Sequence, residues 1–351
     1  MTSGIGTLCV RADADGGIGS GHVIRCLALS QEWIRRGGRV VYVSRPLPEP
    51  LQKTLTTNEV EIQTIRGRGD LEDAEALLRI AEDTECRWLV IDGYGFDIPY
   101  QRAIREGASS TVLVDDGGRV DEEWEADILV NQNLGAESLN YVCPAGSSAL
   151  AGSAYVLLRR AFLDYVRRAD CVVARNVVVT LGGADPDDQT RKVIEALAFV
   201  PLKDTHLRVR VVIGANNPNL DCLVGMVAAD VRLARYVDIY SYTDDMAGLL
   251  DWADIAVSAG GSTCWEIAYM GVPNLVIVTA DNQRMIAEEL DRKGVSLNLG
   301  WFESVTVESI ASGIRSLSDS PERLKQMREK GRSIVDGQGA RRLVDVLTGV
   351  S

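Results

Sequence analysis

From residue 7 to residue 278 the chain repeats one pattern: a short apolar run, a polar or glycine-rich break, then a longer stretch with apolar residues at helical spacing. Residues 7–11, 39–43, 61–65, 88–91, 111–114 and 128–130 have strand length, and 21–36 and 70–83 read as helices. In 70–83, Leu71, Ala74, Leu77, Leu78 and Ala81 fall on one helical face. Short strands that are apolar throughout, alternating with amphipathic helices, predict an α/β fold with a parallel sheet covered on both sides. Polar residues stand just past the runs: Asp13, Asp92 with Tyr94, Asp115 with Asp116, and Asn131. In such sheets the carboxyl edge is where ligands bind, so several polar strand ends together suit a sugar pocket. Singly, each serves equally as a helix cap or, for Asp115 and Asp116, a turn.

From 149 to 173 the alternation stops, and Arg159, Arg160, Arg167, Arg168 and Asp170 charge the segment. We therefore read a first domain at 1–155, a linker at 156–175 and a second domain at 176–335. In the second domain strands fall at 176–181, 207–213, 236–240, 254–258 and 273–278, with helices at 187–199, 221–229, 244–251, 262–270 and 282–292. Helical runs at 307–317 and 321–335 follow, and a last helix within 336–351 is free to pack back on the first domain. At 351 residues and 46% hydrophobic, the chain can fill two cores. The expected architecture is two α/β domains with a cleft between them.

A net charge of −13 sets the surface against phosphate backbones and anionic membranes, which argues against a nucleic-acid partner. It leaves room for one local positive site for a small phosphate ligand. Seven scattered cysteines with no C-x-x-C pair fit free thiols in a reducing compartment, hence a cytoplasmic location. Of the two histidines, His22 and His206, neither has metal-ligand neighbours at zinc spacing, so neither metal nor cofactor is expected. No apolar stretch approaches about 18 residues, so no membrane insertion is expected.

Four motifs carry chemistry. Residues 16–22, with Gly19, Gly21 and His22 at the end, follow the first strand directly. Glycines allow close backbone approach, and the helix that follows presents free amides and a positive dipole end to an anion. That dipole disfavours a protonated His22, leaving an imidazole able to accept a proton. Read locally, the loop serves equally as a turn with His22 as a polar cap. In the second domain Ser258, Gly260, Gly261, Ser262 and Thr263 join a strand to a helix and form a natural diphosphate cradle. No lysine follows these glycines, which excludes a Walker A loop. Glu266, one turn on, can accept hydrogen bonds from a ribose diol, or Ser262 and Glu266 can form a cap. Asn282 and Gln283 suit sugar hydroxyls, a phosphate or an ordinary N-cap.

Taken in order, these motifs resemble one family. Residues 11–31, R-A-D-A-D-G-G-I-G-S-G-H-V-I-R-C-L-A-L-S-Q, look like the N-terminal signature of the UDP-2,4-diacetamido-2,4,6-trideoxy-β-L-altropyranose hydrolases, the PseG-type enzymes of pseudaminic acid biosynthesis. I-D-G-Y-G at 91–95, V-D-D-G-G at 114–118, L-V-N-Q-N at 129–133, L-G-G-A-D-P at 181–186 and N-N-P-N-L at 216–220 are also similar. The resemblance implies a GT-B-like fold of two Rossmann-like domains, related to MurG-type glycosyltransferases. It implies metal-independent removal of UDP from a UDP-sugar by water, with inversion at the anomeric carbon. The family's catalytic histidine falls on His22 and its UDP loop on residues 258–263, with Glu266 following. Pocket residues fall on Arg11, Asp13, Tyr94 and Asn282. A glycosyltransferase passing the sugar to an acceptor shares the same fold, as does a nucleotide-sugar binding module without turnover.

Overall fold

The computed structural model describes residues 4–350 except 15–18, 118–122, 171–172, 184, 203–205, 215–216, 242 and 244. The chain forms two compact units: Met1–Arg160 with Gly337–Ser351, and Ala161–Asp336.

The first unit is built on seven strands: β1 (Thr7–Ala12), β2 (Arg39–Ser44), β3 (Glu61–Thr64), β4 (Cys86–Asp92), β5 (Thr111–Val114), β6 (Ile128–Asn131) and β7 (Ser148–Ala151). Their order is β3-β2-β1-β4-β5-β6-β7, with every pairing parallel. Residues of β1 bury side chains on both faces. Leu8 and Val10 join Leu27, Trp33 and Tyr42 on one side, and Cys9 joins Leu77, Leu89 and Tyr100 on the other. β1 lies between β2 and β4, so the chain reverses its winding there; a crevice at such a switch point is where open sheets bind ligands. The loop to the helix Gly21–Arg35 leaves from this point.

The last helix, Gly339–Thr348, belongs to this unit and packs Leu343, Val344 and Leu347 into the core around Leu27. Trp88 Nε1 donates to the carbonyl of Leu347 at 2.8 Å, and Arg36 pairs with Asp345 at 2.7 Å. Gly339 is required at its start, because a Cβ there would meet the Val156 carbonyl oxygen at 2.2 Å.

The second unit holds β8 (Asn176–Thr180), β9 (Arg208–Val212), β10 (Val237–Tyr240), β11 (Ile255–Ala259), β12 (Asn274–Val278) and β13 (Ser296–Trp301). Their order is β10-β9-β8-β11-β12-β13, again all parallel. The switch point here lies between β8 and β11, and the loop at 258–263 leaves from the end of β11. Helices cover both faces of this sheet with separate apolar clusters, one around Val177 and Val257 and one around Val178 and Ala256.

The predicted parallel α/β architecture is therefore present twice. Several elements differ from the sequence reading, four of them long enough to matter for the sheets and their cover. The segment read as unpatterned from 149 overlaps β7, an edge strand of exposed and half-buried residues (Ser148, Ala149, Leu150, Ala151) with no apolar run to reveal it. β13 reads Ser-Leu-Asn-Leu-Gly-Trp and is likewise an edge. The helices Glu49–Thr57 and Ile98–Gly107, absent from the sequence reading, carry prolines in their first turn, where proline is tolerated. Among the described residues no helix is long and apolar enough to cross a membrane.

Candidate functional site

In the first unit the site begins with the helix Gly21–Arg35. Ser20 occupies its N-cap without a side-chain cap bond, Gly19 turns into it at φ +75°, and Gly21 is its first residue. Residues 16–18 of the glycine-rich loop lie outside the described residues. His22 does not cap the helix. Its imidazole is buried, and Nδ1 lies 2.6 Å from Oδ1 of Asp92, the last residue of β4. Against a carboxylate, Nδ1 carries the proton and donates it, which leaves Nε2 as the acceptor.

Asp92 is fully buried and carries more than His22. Arg25, three residues along the same helix face, donates Nε to Oδ2 at 2.6 Å and Nη2 to Oδ1 at 2.5 Å. Cys26 Sγ approaches Oδ2 at 3.3 Å. Burial alone would raise the Asp92 pKa, but the charge of Arg25, with His22, outweighs it and holds the carboxyl well below the usual range. Arg25 also donates Nη1 to Asp116 at 2.9 Å, and the Tyr94 hydroxyl donates to the same carboxylate at 3.1 Å. The Tyr94 ring meets His22 edge-on, with centroids 4.7 Å apart. Burial, then the negative charge of Asp116, raises the Tyr94 phenol, so it stays a donor.

A cavity of about 50 Å³ opens among His22, Tyr94, Gln101, Asp115, Asp116 and Trp124. That is room enough for water beside a histidine and two carboxylates. Asp115 accepts from the Gly117 amide at 3.0 Å and the Tyr141 hydroxyl at 3.0 Å. The turn reading of this pair is thus realised for Asp115, while Asp116 joins the histidine cluster. Asn131 braces the same corner, its Nδ2 donating to Tyr141 at 2.6 Å.

Arg11 is placed differently from a ligand-facing residue. It has no exposed surface, and its guanidinium is held by Asp13 at 2.6 and 2.9 Å and by Asp73 at 3.2 and 2.8 Å. Burial works against that charge, yet Asp73 and Asp13 more than compensate. Asp13 is committed as well, accepting from the Arg45 amide at 2.8 Å. The pair ties the ends of β1 and β2 to the helix Leu71–Asp83. Its one sequence signal is an arginine inside an otherwise apolar strand, Leu8-Cys9-Val10-Arg11-Ala12.

In the second unit β11 runs into the helix Thr263–Met270 through Gly260, Gly261 and Ser262. Two expected cradle groups are already used. Ser258 is fully buried and accepts from Asn274 Nδ2 at 2.9 Å. The Gly260 amide donates to Gln283 Oε1 at 3.1 Å. Ser262 stands at the N-cap and makes no side-chain cap bond. The amides of Gly261, Ser262 and Thr263 fall where a helix start leaves donors without internal partners, and a Cβ at Gly261 would meet nothing within 4 Å. Glu266 is buried one turn further on.

Gln283 staples this loop to its neighbour. Its Oε1 accepts from Gly260, from the Thr279 amide at 2.9 Å and from the Thr279 hydroxyl at 3.1 Å. The sequence reading offered Gln283 to a ligand; the structure uses its oxygen internally. Asn282 beside it lies half-buried in a short 3-10 turn, Asp281–Gln283. Arg25, Asp73, Asn274 and Thr279 are missed by motif reading. Only Arg25 had a signal, its i+3 spacing from His22.

Residues 176–343 match the family described as glycosyltransferase family 28 C-terminal domain. The chain is similar to the spore coat polysaccharide biosynthesis protein SpsG of Bacillus subtilis, 27% identical over 342 residues, covering 95% of this chain and 96% of that protein. It is 25% identical over 360 residues to the UDP-N-acetylglucosamine–N-acetylmuramyl-(pentapeptide) pyrophosphoryl-undecaprenol N-acetylglucosamine transferase of Pseudomonas paraeruginosa, covering 94% and 95%. Among solved structures, S. aureus MnaA in a co-structure with UDP superposes with a TM-score of 0.71 at 12% identity, covering 98% of this chain and 97% of that one. The fold is thus of GT-B type, with two Rossmann-like halves.

Proposed function

We propose that this chain is a nucleotide-sugar enzyme that hydrolyses a UDP-linked sugar, water replacing UDP at the anomeric carbon with inversion. The observation that carries the reading is the 2.6 Å contact of His22 Nδ1 with a buried, ionised Asp92, which leaves Nε2 as a base beside a water-sized cavity. Water is a weak nucleophile, and a positioned base takes its proton as the new C–O bond forms. The C–O bond to the β-phosphate breaks, and negative charge grows on the departing UDP. The first-turn amides at Gly261, Ser262 and Thr263 are suited to stabilise that charge. Glu266 is proposed for the ribose and Asn282 for the sugar. Tyr94 is proposed to orient the sugar or the water. Arg11, Asp13 and Gln283 act beneath these residues by holding the loops. The resemblance to the PseG-type hydrolases supports a diacetamido-trideoxy sugar as the substrate.

The test is His22→Ala or His22→Asn. Turnover should fall by about 10²–10⁴, while UDP binding measured by calorimetry stays unchanged. UDP release at the wild-type rate from purified His22→Ala would remove His22 from the mechanism.

A second reading, transfer of the sugar to an acceptor, is favoured by the family 28 match over residues 176–343. On that reading the same base activates an acceptor hydroxyl, and UDP release requires the acceptor.

A further inference from the structure

Two carboxylates close neighbouring strands of the first unit: Asp92 ends β4, and Asp116 stands two residues past β5. Both are bound by one cation. Arg25 grips Asp92 with Nε and Nη2 and reaches Asp116 with Nη1, and it is almost fully buried while doing so. Nη2 also lies 2.9 Å from His22 Nδ1. With Nδ1 donating to Asp92, that contact brings two nitrogens to one shared carboxylate oxygen. The orientation of the imidazole is then set by Arg25 as much as by Asp92.

We propose that Arg25 is a positioning residue that holds Asp92 and Asp116 as a unit short of one positive charge, which a proton on His22 completes. One cation faces two anions, so the cluster is unbalanced while the imidazole is neutral and balanced once it is protonated. A base built this way gains most when it takes its proton, which is when water attacks. If Arg25 were absent, two little-solvated carboxylates would hold a proton on His22 from the outset and no base would remain.

Among the described groups facing His22, two leave this count unchanged. Tyr94, from the loop after β4, and Cys26, on the same helix, both stay neutral because burial raises them. Asp115 is turned to Tyr141 and Gly117. The consequence for catalysis rests on the hydrolase reading above; the electrostatic role does not.

The protein has two histidines, so the His22 imidazole can be followed by NMR with His206 as the sole other signal. The titration midpoint of His22 is measured without substrate in the wild type and in Arg25→Gln, Arg25→Lys and Asp116→Asn. Arg25→Gln should raise it by about 1–3 pH units, and Asp116→Asn should lower it by about one. Arg25→Lys should stay close to the wild type, because it keeps the charge and loses the fork. In parallel, the acid limb of the kcat/KM profile for UDP release should move with the midpoint. Asp116 is partly exposed, so Asp116→Asn decides the matter if Arg25→Gln does not fold. An unmoved midpoint in Asp116→Asn, or a fall in Arg25→Gln, overturns the proposal. Midpoints that move as stated in a protein that never releases UDP would keep it and sink the hydrolase reading instead.

Discussion

At the residue scale, the account turns on a few buried charges whose partners decide what they do. Asp92 gives a pH prediction. Its folded-state pKa is depressed, so the folded protein binds fewer protons there than the unfolded chain. The stability it contributes is therefore present above the ordinary carboxylate pKa of about 3.9 and lost as pH falls below it. Unfolding free energy from urea titrations should stay level near neutrality and drop below about pH 4. Stability that rose between pH 5 and pH 3 would contradict the pairing. Residue roles were only partly legible in the sequence. His22 stood out because a histidine directly after a glycine-rich loop lies at the start of a helix. The resemblance puts Arg11 in the pocket, and local position offers Gln283 to a ligand or an N-cap, because such signals say which residues are near a site, not which way they point. Arg11 is turned inward to Asp73, a helix residue 62 positions away. Such a partner leaves no trace in local spacing.

At the scale of elements, the two switch points position the loops, and side chains from neighbouring loops lock them. Gln283 is the lock in the second unit, accepting three hydrogen bonds that span Gly260 and Thr279. Gln283→Ala would strand part-buried donors, at about 1–3 kcal/mol for each one left without water. We expect a lowered Tm together with weaker UDP binding, and Gln283→Glu, which keeps an acceptor oxygen, should recover most of the Tm. Equal UDP affinity in Gln283→Ala would show that the loop holds its form without the staple. Central strands and their helices were legible because burial on both faces forces an unbroken apolar run, as in Val177, Val178 and Val179 of β8. Edge strands β7 and β13 face solvent on part of their surface: β7 has no apolar run, and β13 offers only a short alternation of Leu297, Leu299 and Trp301 with Ser, Asn and Gly. The helix Ile98–Gly107 was missed for a different reason. Its Asp97 cap, which accepts from the Tyr100 amide at 3.0 Å, precedes a proline that reads as a break.

At the scale of the whole molecule, the chain repeats one architecture and equips the two copies differently. The first unit carries a histidine bound to a buried carboxylate, two further acids and a water-sized cavity. The second carries a helix start with open amides and a buried glutamate after it. On the proposed reading, proton transfer falls to the first set and anion binding to the second. The final helix returns to the first unit, so the chain ends in the core that supports His22. The most direct test is incubation of the intact protein with a panel of UDP-diacetamido sugars in ¹⁸O-water, with EDTA and without any acceptor. The account predicts UDP free of label, sugar carrying ¹⁸O at the anomeric carbon, and inverted configuration of the first product by proton NMR. UDP that is released only after an acceptor is added, or that itself carries the label, would contradict it.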